Sequence, residues 1–230
     1  MFWSITSFLG TSSFIMVFIG PTIIAAWVDP SANIPHLIAR YWARWTLFCA
    51  NVQVDVEGEE NIPEGPAVYM PNHASNFDVL AILGFLRVQF RWTVKRELFK
   101  IPVFGFAMKK CAYIMVDRGN HSQAIESMRI AAEKIRSGTS IVIFPEGTRS
   151  DDGKLQFPFK KGGFHLALES GTPVVPITVS GSYKILPKNS VKVKPGRIRI
   201  RIGKPIDTRG HDMTTLMQAV YDSIRKGFED

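Results

Sequence analysis

The sequence predicts an α/β fold: a single domain with a mostly parallel sheet flanked by helices, behind an N-terminal two-helix membrane anchor, hydrophobic in its first helix and amphipathic in its second. Three observations carry that expectation. Strand-like and helix-like patterns alternate from about residue 52 onward, residues 112–144 read as one βαβ unit, and the stretch from Met1 to Val28 holds no charged residue. At 230 residues and 46% hydrophobic composition, the chain can bury one sizeable core. No internal repeat or low-complexity linker divides it. Residues 1–50 are therefore assigned to the anchoring helices and 51–230 to one globular domain.

The anchor comes first. Met1–Val28 is dense in Phe, Ile, Val and Trp and lacks the basic opening of a secretory signal peptide. A helix from Phe2 to Ile19 would be about 27 Å long, close to the roughly 30 Å hydrocarbon thickness of a bilayer. Pro21 then interrupts or kinks it. In the second helix, Ile34, Leu37, Ile38, Tyr41, Trp42, Trp45 and Phe48 fall on one side, with His36, Arg40 and Arg44 on the other. Trp, Tyr and Arg at this density suit a membrane–water interface. Two arrangements fit: the first helix spans with Arg40 and Arg44 marking the cytoplasmic side, or both helices dip into one leaflet. The alternative is a helix pair packed on a soluble core. The expected location is a membrane, specifically the inner (cytoplasmic) one, with the site on its cytoplasmic side.

Beyond the anchor, Val52–Val56 alternates as a half-buried strand does. Residues 62–66 read as a turn, and Ala67–Met70 as a short buried strand stopped by Pro71. A helix over Phe77–Leu86, a strand over Phe90–Lys95 and a helix over Ile101–Lys110 follow. The βαβ unit comprises a strand (Ala112–Val116), an amphipathic helix (Ser122–Arg136), a stop at Gly138 and a strand (Ser140–Phe144); such a crossover implies parallel strands. Lys161–Ser170 is helical up to Gly171, and Val174–Val179 is a buried strand. Arg197–Ile202 alternates strictly and puts Arg197, Arg199 and Arg201 on one face, read as a basic surface for anionic lipid worth ~1 kcal/mol per charge. A last helix covers Thr214–Gly227.

Two segments carry chemistry. In Asn72-His73-Ala74-Ser75-Asn76-Phe77-Asp78, His73 and Asp78 are five residues apart, about 140° around a regular helix, so they do not share a helical face. The pair works only with His73 in a strand-to-helix loop and Asp78 in the first helical turn, for which Ser75 or Asn76 is a suitable N-cap. Asp78 would then orient one ring nitrogen and leave the other to take a proton. A plain capping motif beside a surface histidine is the competing reading. In Phe144-Pro145-Glu146-Gly147-Thr148-Arg149-Ser150, Pro145 ends the strand and Gly147 permits positive φ. Exposed amides beside Arg149 suit a phosphate or a developing oxyanion, at the carboxyl end of a parallel strand. Asp117-Arg118 is expected to end the neighbouring strand on the same rim. Arg118 is read as either pairing with a carboxylate or binding phosphate, and Lys95 as either a solvated charge or a substrate ligand.

These blocks resemble those of the glycerolipid acyltransferase family, and within it the bacterial 1-acyl-sn-glycerol-3-phosphate acyltransferases. N-H-x-S-x-x-D stands at Asn72–Asp78, a strand with D-R at Tyr113–Arg118, F-P-E-G-T-R-S at Phe144–Ser150 and V-P-I at Val175–Ile177, covering roughly residues 50–205. Ala112 departs from a frequent glycine. The resemblance implies an acyltransferase domain with His73 as general base and Asp78 as its partner. It also implies substrate binding by Lys95, Arg118, Glu146, Gly147, Thr148 and Arg149. No metal or other cofactor is implied. The donor would be acyl-CoA or an acyl carrier protein, the acceptor lysophosphatidate, and the product phosphatidate for phospholipid synthesis.

The net charge of +8 favours acidic partners: anionic membrane lipid, a phosphorylated substrate or a carrier protein. With no nucleic-acid-binding motif, nucleic acid is not expected. Cys49 and Cys111 show neither disulfide nor zinc spacing, which fits a reducing compartment. The competing functions are the same chemistry on a lyso-ornithine lipid or another lysophospholipid, a hydrolase needing a nucleophile such as Ser75, and a non-catalytic basic membrane-surface protein.

Overall fold

The computed structural model describes residues 1–13, 17–117 and 119–229. In chain order the strands are β1 (Val52–Glu57), β2 (Val68–Pro71), β3 (Phe90–Lys95), β4 (Ile114–Val116), β5 (Ser140–Val142), β6 (Val174–Ser180) and β7 (Gly196–Ile202). The helices are α1 (Phe2–Ser13), α2 (Ile19–Val28), α3 (Asn33–Cys49), α4 (Asn76–Phe85), α5 (Phe104–Lys110), α6 (His121–Arg136), α7 (Gly162–Ser170), α8 (Ser182–Ile185) and α9 (Met213–Glu229). The strands form one sheet in the order β1-β7-β6-β2-β5-β3-β4. Every neighbouring pair is parallel except β6 with β7, so β1 and β7 run against the other five.

The central strands β2, β5 and β6 are buried along nearly their whole length because helices cover both faces. Tyr69, Trp92 and Val142 belong to one core, with Ala43 and Leu47 of α3 and Ile82 of α4. Val68, Met70 and Ile141 belong to the other, with Ala131, Phe164 and Val220 of α6, α7 and α9. Helix α4 follows β2 over the first face and leads toward β3; helix α7 follows β5 over the second and leads toward β6. The chain therefore leaves the adjacent strands β2 and β5 in opposite directions. That makes the carboxyl ends of β2 and β5 the topological switch point, where open α/β sheets place ligands.

Three expectations change. The strand before Asp117 does not neighbour β5, because β3 lies between β5 and β4. The arginine face of β7 is matched by its partner strand: Arg197 pairs with Asp55 at 2.9 Å, while Arg199 and Arg201 pair with Glu57 at 3.2 and 3.0 Å. Parallel register brings these carboxylates of β1 alongside, so the stripe is largely neutralised in place. Pro21 lies in the first turn of α2 instead of ending a helix, a position where a missing N–H is tolerated.

Helix α3 leaves most of its apolar side outward, as expected of an interfacial helix, but turns Trp42 and His36 inward together. The residues turned inward are Pro35, His36, Ala39, Trp42, Ala43, Thr46 and Leu47. Ile34, Leu37, Tyr41, Trp45 and Phe48 are exposed, alongside Phe2, Phe8 and Leu9 of α1 and Ile24 and Trp27 of α2. Small residues let α3 approach α4, where the Arg44 Nε donates to the Gly84 carbonyl at 2.7 Å. Arg91 of β3, 1% exposed, fixes the start of α3 by donating to the Ser31 carbonyl at 2.7 Å and to Asn33 Oδ1 at 2.8 Å. Helix α3 thus shares a core with the sheet. Among the described residues, no helix is long and apolar enough to cross a membrane.

Candidate active site

The first loop is built around a helix cap. Strand β2 ends at Pro71, and the buried Asn72 side chain continues its pairing with β6, accepting from the Val179 N–H at 2.7 Å and donating to the Val179 carbonyl at 3.0 Å. Ser75 is extended (φ −149°) and caps α4, accepting from the Phe77 N–H at 3.2 Å and donating to the Leu186 carbonyl at 2.8 Å. Asp78 closes the capping box. Its Oδ2 accepts from the Ala74 and Ser75 amides, both at 2.7 Å, and lies 2.9 Å from His73 Nδ1. An ionised carboxylate only accepts, so this bond calls for the Nδ1–H tautomer and leaves a lone pair on Nε2. The capping box is present, and the same carboxylate that closes it also holds the His73 ring.

The second loop grips the first. The Glu146 carboxylate accepts from the His73 backbone N–H at 2.6 Å through Oε1 and from the Gln156 N–H at 3.2 Å through Oε2. The Ser150 N–H donates to the His73 carbonyl at 2.8 Å. Burial pushes the Glu146 carboxyl up to about 7; the two N–H donors oppose the rise and nearby Asp78 adds to it. Gly147 adopts φ +74°, and its N–H bonds the Phe144 carbonyl at 3.1 Å. A Cβ there would stand 2.8 Å from Lys160 Cγ, so the Lys160 stem lies over the glycine.

A model of the Acyltransferase family matches residues 53–180, which include both loops. The chain belongs to the acyltransferase family. It is 38% identical over 174 residues to a chloroplastic 1-acyl-sn-glycerol-3-phosphate acyltransferase of Brassica napus, covering 74% of this chain and 50% of that one. Against the Pseudomonas aeruginosa 1-acyl-sn-glycerol-3-phosphate acyltransferase the identity is 32% over 181 residues, 76% of this chain and 69% of that one. The crystal structure of the 1-acyl-sn-glycerophosphate (LPA) acyltransferase PlsC from Thermotoga maritima superposes with a TM-score of 0.86 at 27% identity, over 99% of this chain and 93% of that one. The chain spans about half the length of the Brassica napus and Arabidopsis thaliana relatives it matches.

Set against the family's implied residues, the structure brings His73, Asp78, Glu146 and Gly147 together. Glu146 faces backbone amides, and the Gly147 N–H is used inside its own turn. Thr148 is exposed and Arg149 half-buried on the same loop. Lys95 stands at the carboxyl end of β3, exposed and 3.6 Å from Glu97. Arg118 lies outside the described residues. Lys160, which the sequence reading does not single out, is brought back to this turn by its N–H donating to the Pro145 carbonyl at 2.7 Å. Among the described residues, no cluster of three or more His, Cys, Asp or Glu side chains could hold a metal ion.

Proposed function

We propose that this chain transfers an acyl group from a thioester, acyl-CoA or an acylated carrier protein, to the sn-2 hydroxyl of 1-acyl-glycerol-3-phosphate, forming phosphatidate. The carrying observation is the His73–Asp78 pair, with Nδ1 2.9 Å from the carboxylate and Nε2 left to act as base. His73 takes the hydroxyl proton as the oxygen attacks the thioester carbonyl. The tetrahedral oxyanion collapses, the C–S bond breaks, and the leaving thiolate recovers the proton from the imidazolium. A serine-nucleophile hydrolase is disfavoured, because the Ser75 hydroxyl is spent on the cap and on Leu186.

Arg149, Thr148, Lys95 and Arg118 are the proposed ligands of the acceptor phosphate, and Lys160 joins them. Glu146 serves on this reading by holding the loop that carries the base. The apolar side chains left exposed on α1–α3 support a membrane location. We place the protein at the inner membrane with the site on its cytoplasmic side, where a lipid substrate and product both stay in the bilayer.

The test is incubation of purified protein in liposomes with lysophosphatidate and either donor, beside His73→Ala. Phosphatidate from the parent protein and none from the variant is the expected result. Product from another lysophospholipid alone would move the acceptor, and no product with any acceptor would sink the proposal.

A further inference from the structure

The base is held on four sides. Asp78 takes its ring edge, Glu146 its backbone N–H and Ser150 its carbonyl. The fourth side is the face of the imidazole, and Phe144 covers it with ring centroids 3.8 Å apart and planes 15° from parallel. Trp92 lies behind Phe144 at 5.3 Å and 17°, and Phe90 abuts Trp92 edge-on at 5.3 Å. Trp92 and Phe90 are buried in the β3 core, so the stack has no room to slide. The Phe144 carbonyl accepts from Gly147, which fixes the backbone under the ring as well.

An aromatic face is electrostatically negative and attracts a cation lying over it. The imidazole of a general base is neutral before the proton moves and cationic after, so an interaction with its face grows as the reaction proceeds. We propose that Phe144, backed by Trp92, is a positioning residue for the base: it fixes the ring plane that aims Nε2 at the acceptor and stabilises the imidazolium as it forms. The charged groups facing His73 are Asp78 from α4, at the ring edge, and Glu146 from the loop after β5, at the backbone. Phe144 meets the ring where neither carboxylate does. The inference rests on His73 being the base.

Phe144→Leu keeps apolar bulk and removes the π face; Phe144→Tyr keeps the face. With lysophosphatidate and acyl-CoA, the leucine variant is expected to lose about 3- to 30-fold in kcat, at unchanged KM. Its kcat/KM profile should hold to lower pH on the acid side, because the imidazolium is less stabilised. The tyrosine variant should return to within about twofold of the parent. NMR titration of the His73 ring in parent and leucine variant needs no substrate. A midpoint moved to lower pH supports the inference even if another acceptor replaces lysophosphatidate. An unmoved midpoint, or equal losses in both variants with a raised KM, overturns it. If the leucine variant does not fold, pentafluorophenylalanine at position 144 keeps the shape and inverts the ring's field: a midpoint moved to lower pH supports the inference and an unmoved one overturns it.

Discussion

Two loops leave adjacent strands at the same end of the sheet and do opposite kinds of work. Residues 72–78 carry the pair proposed to react; residues 144–150 carry the grip. Through the second pass the hydrogen bonds to the His73 amide and carbonyl and the ring stacked on its face. The lesson is that a residue type marked by a motif can have a structural partner already: Glu146 supplies the acceptor that the neighbouring loop's His73 amide needs.

The comparison can be broken most sharply at His73. His73→Ala is expected to lose roughly 10^3- to 10^4-fold in turnover while melting like the parent, since the Glu146 and Ser150 bonds use only its backbone. A large fall in melting temperature would show that the ring also holds the loops together. Asp78→Asn should lose about 10^2- to 10^4-fold in turnover and, unlike the histidine variant, also cost about 1–2 kcal/mol in denaturant unfolding. Loss of activity with unchanged stability would separate the cap from the orienter.

Glu146→Gln tests the grip. An amide must turn one N–H donor toward another, at about 1–3 kcal/mol. The parent carboxyl is raised from 4.5 to about 7 by burial, so the folded state binds its proton more tightly than the unfolded chain does. Stability from this group is complete below about pH 4.5 and is lost as pH rises through about 7, by an amount on the order of 3 kcal/mol. Unfolding curves at pH 4.5, 6 and 7.5 should therefore converge for parent and variant as pH rises; parallel slopes would refute the assignment. Asn72→Ala, last in size on turnover, should leave the base competent and cost about 1–3 kcal/mol of stability by orphaning the Val179 backbone pair.

Much of this was legible in the sequence, and the misses have physical causes. The cap at Ser75 fixed where His73 and Asp78 had to stand, and β-branched runs marked the parallel strands. In helix α3 the miss is confined to Trp42 and His36, which periodicity put on opposite sides and packing against the rest of the fold buries together. His36 is buried beside Phe90 with its imidazole held near 3 by burial and the charge of Arg91 and Arg40, while Trp45 and Phe48 face outward. The β7 arginines misled because their partners lie on β1, more than 140 residues away in sequence and adjacent only in the folded sheet. The grip of Glu146 on His73 is likewise a contact between loops 73 positions apart.

That pairing of β7 with β1 has a consequence for how the molecule meets charged partners. Three arginines answered by Asp55 and Glu57 leave the outer sheet edge with little field of its own, so most of the net charge of +8 resides elsewhere. Lys184, Lys188, Lys192 and Lys194 cluster in the segment that Ser75 ties to the base loop through Leu186, and Lys160 lies over Gly147. Lys188 is paired with Asp151 at 2.9 Å, and the other basic side chains of that segment are expected to steer an anionic encounter over roughly a Debye length, about 8 Å at physiological ionic strength. Capture rate, more than residence time, should then be what added salt slows.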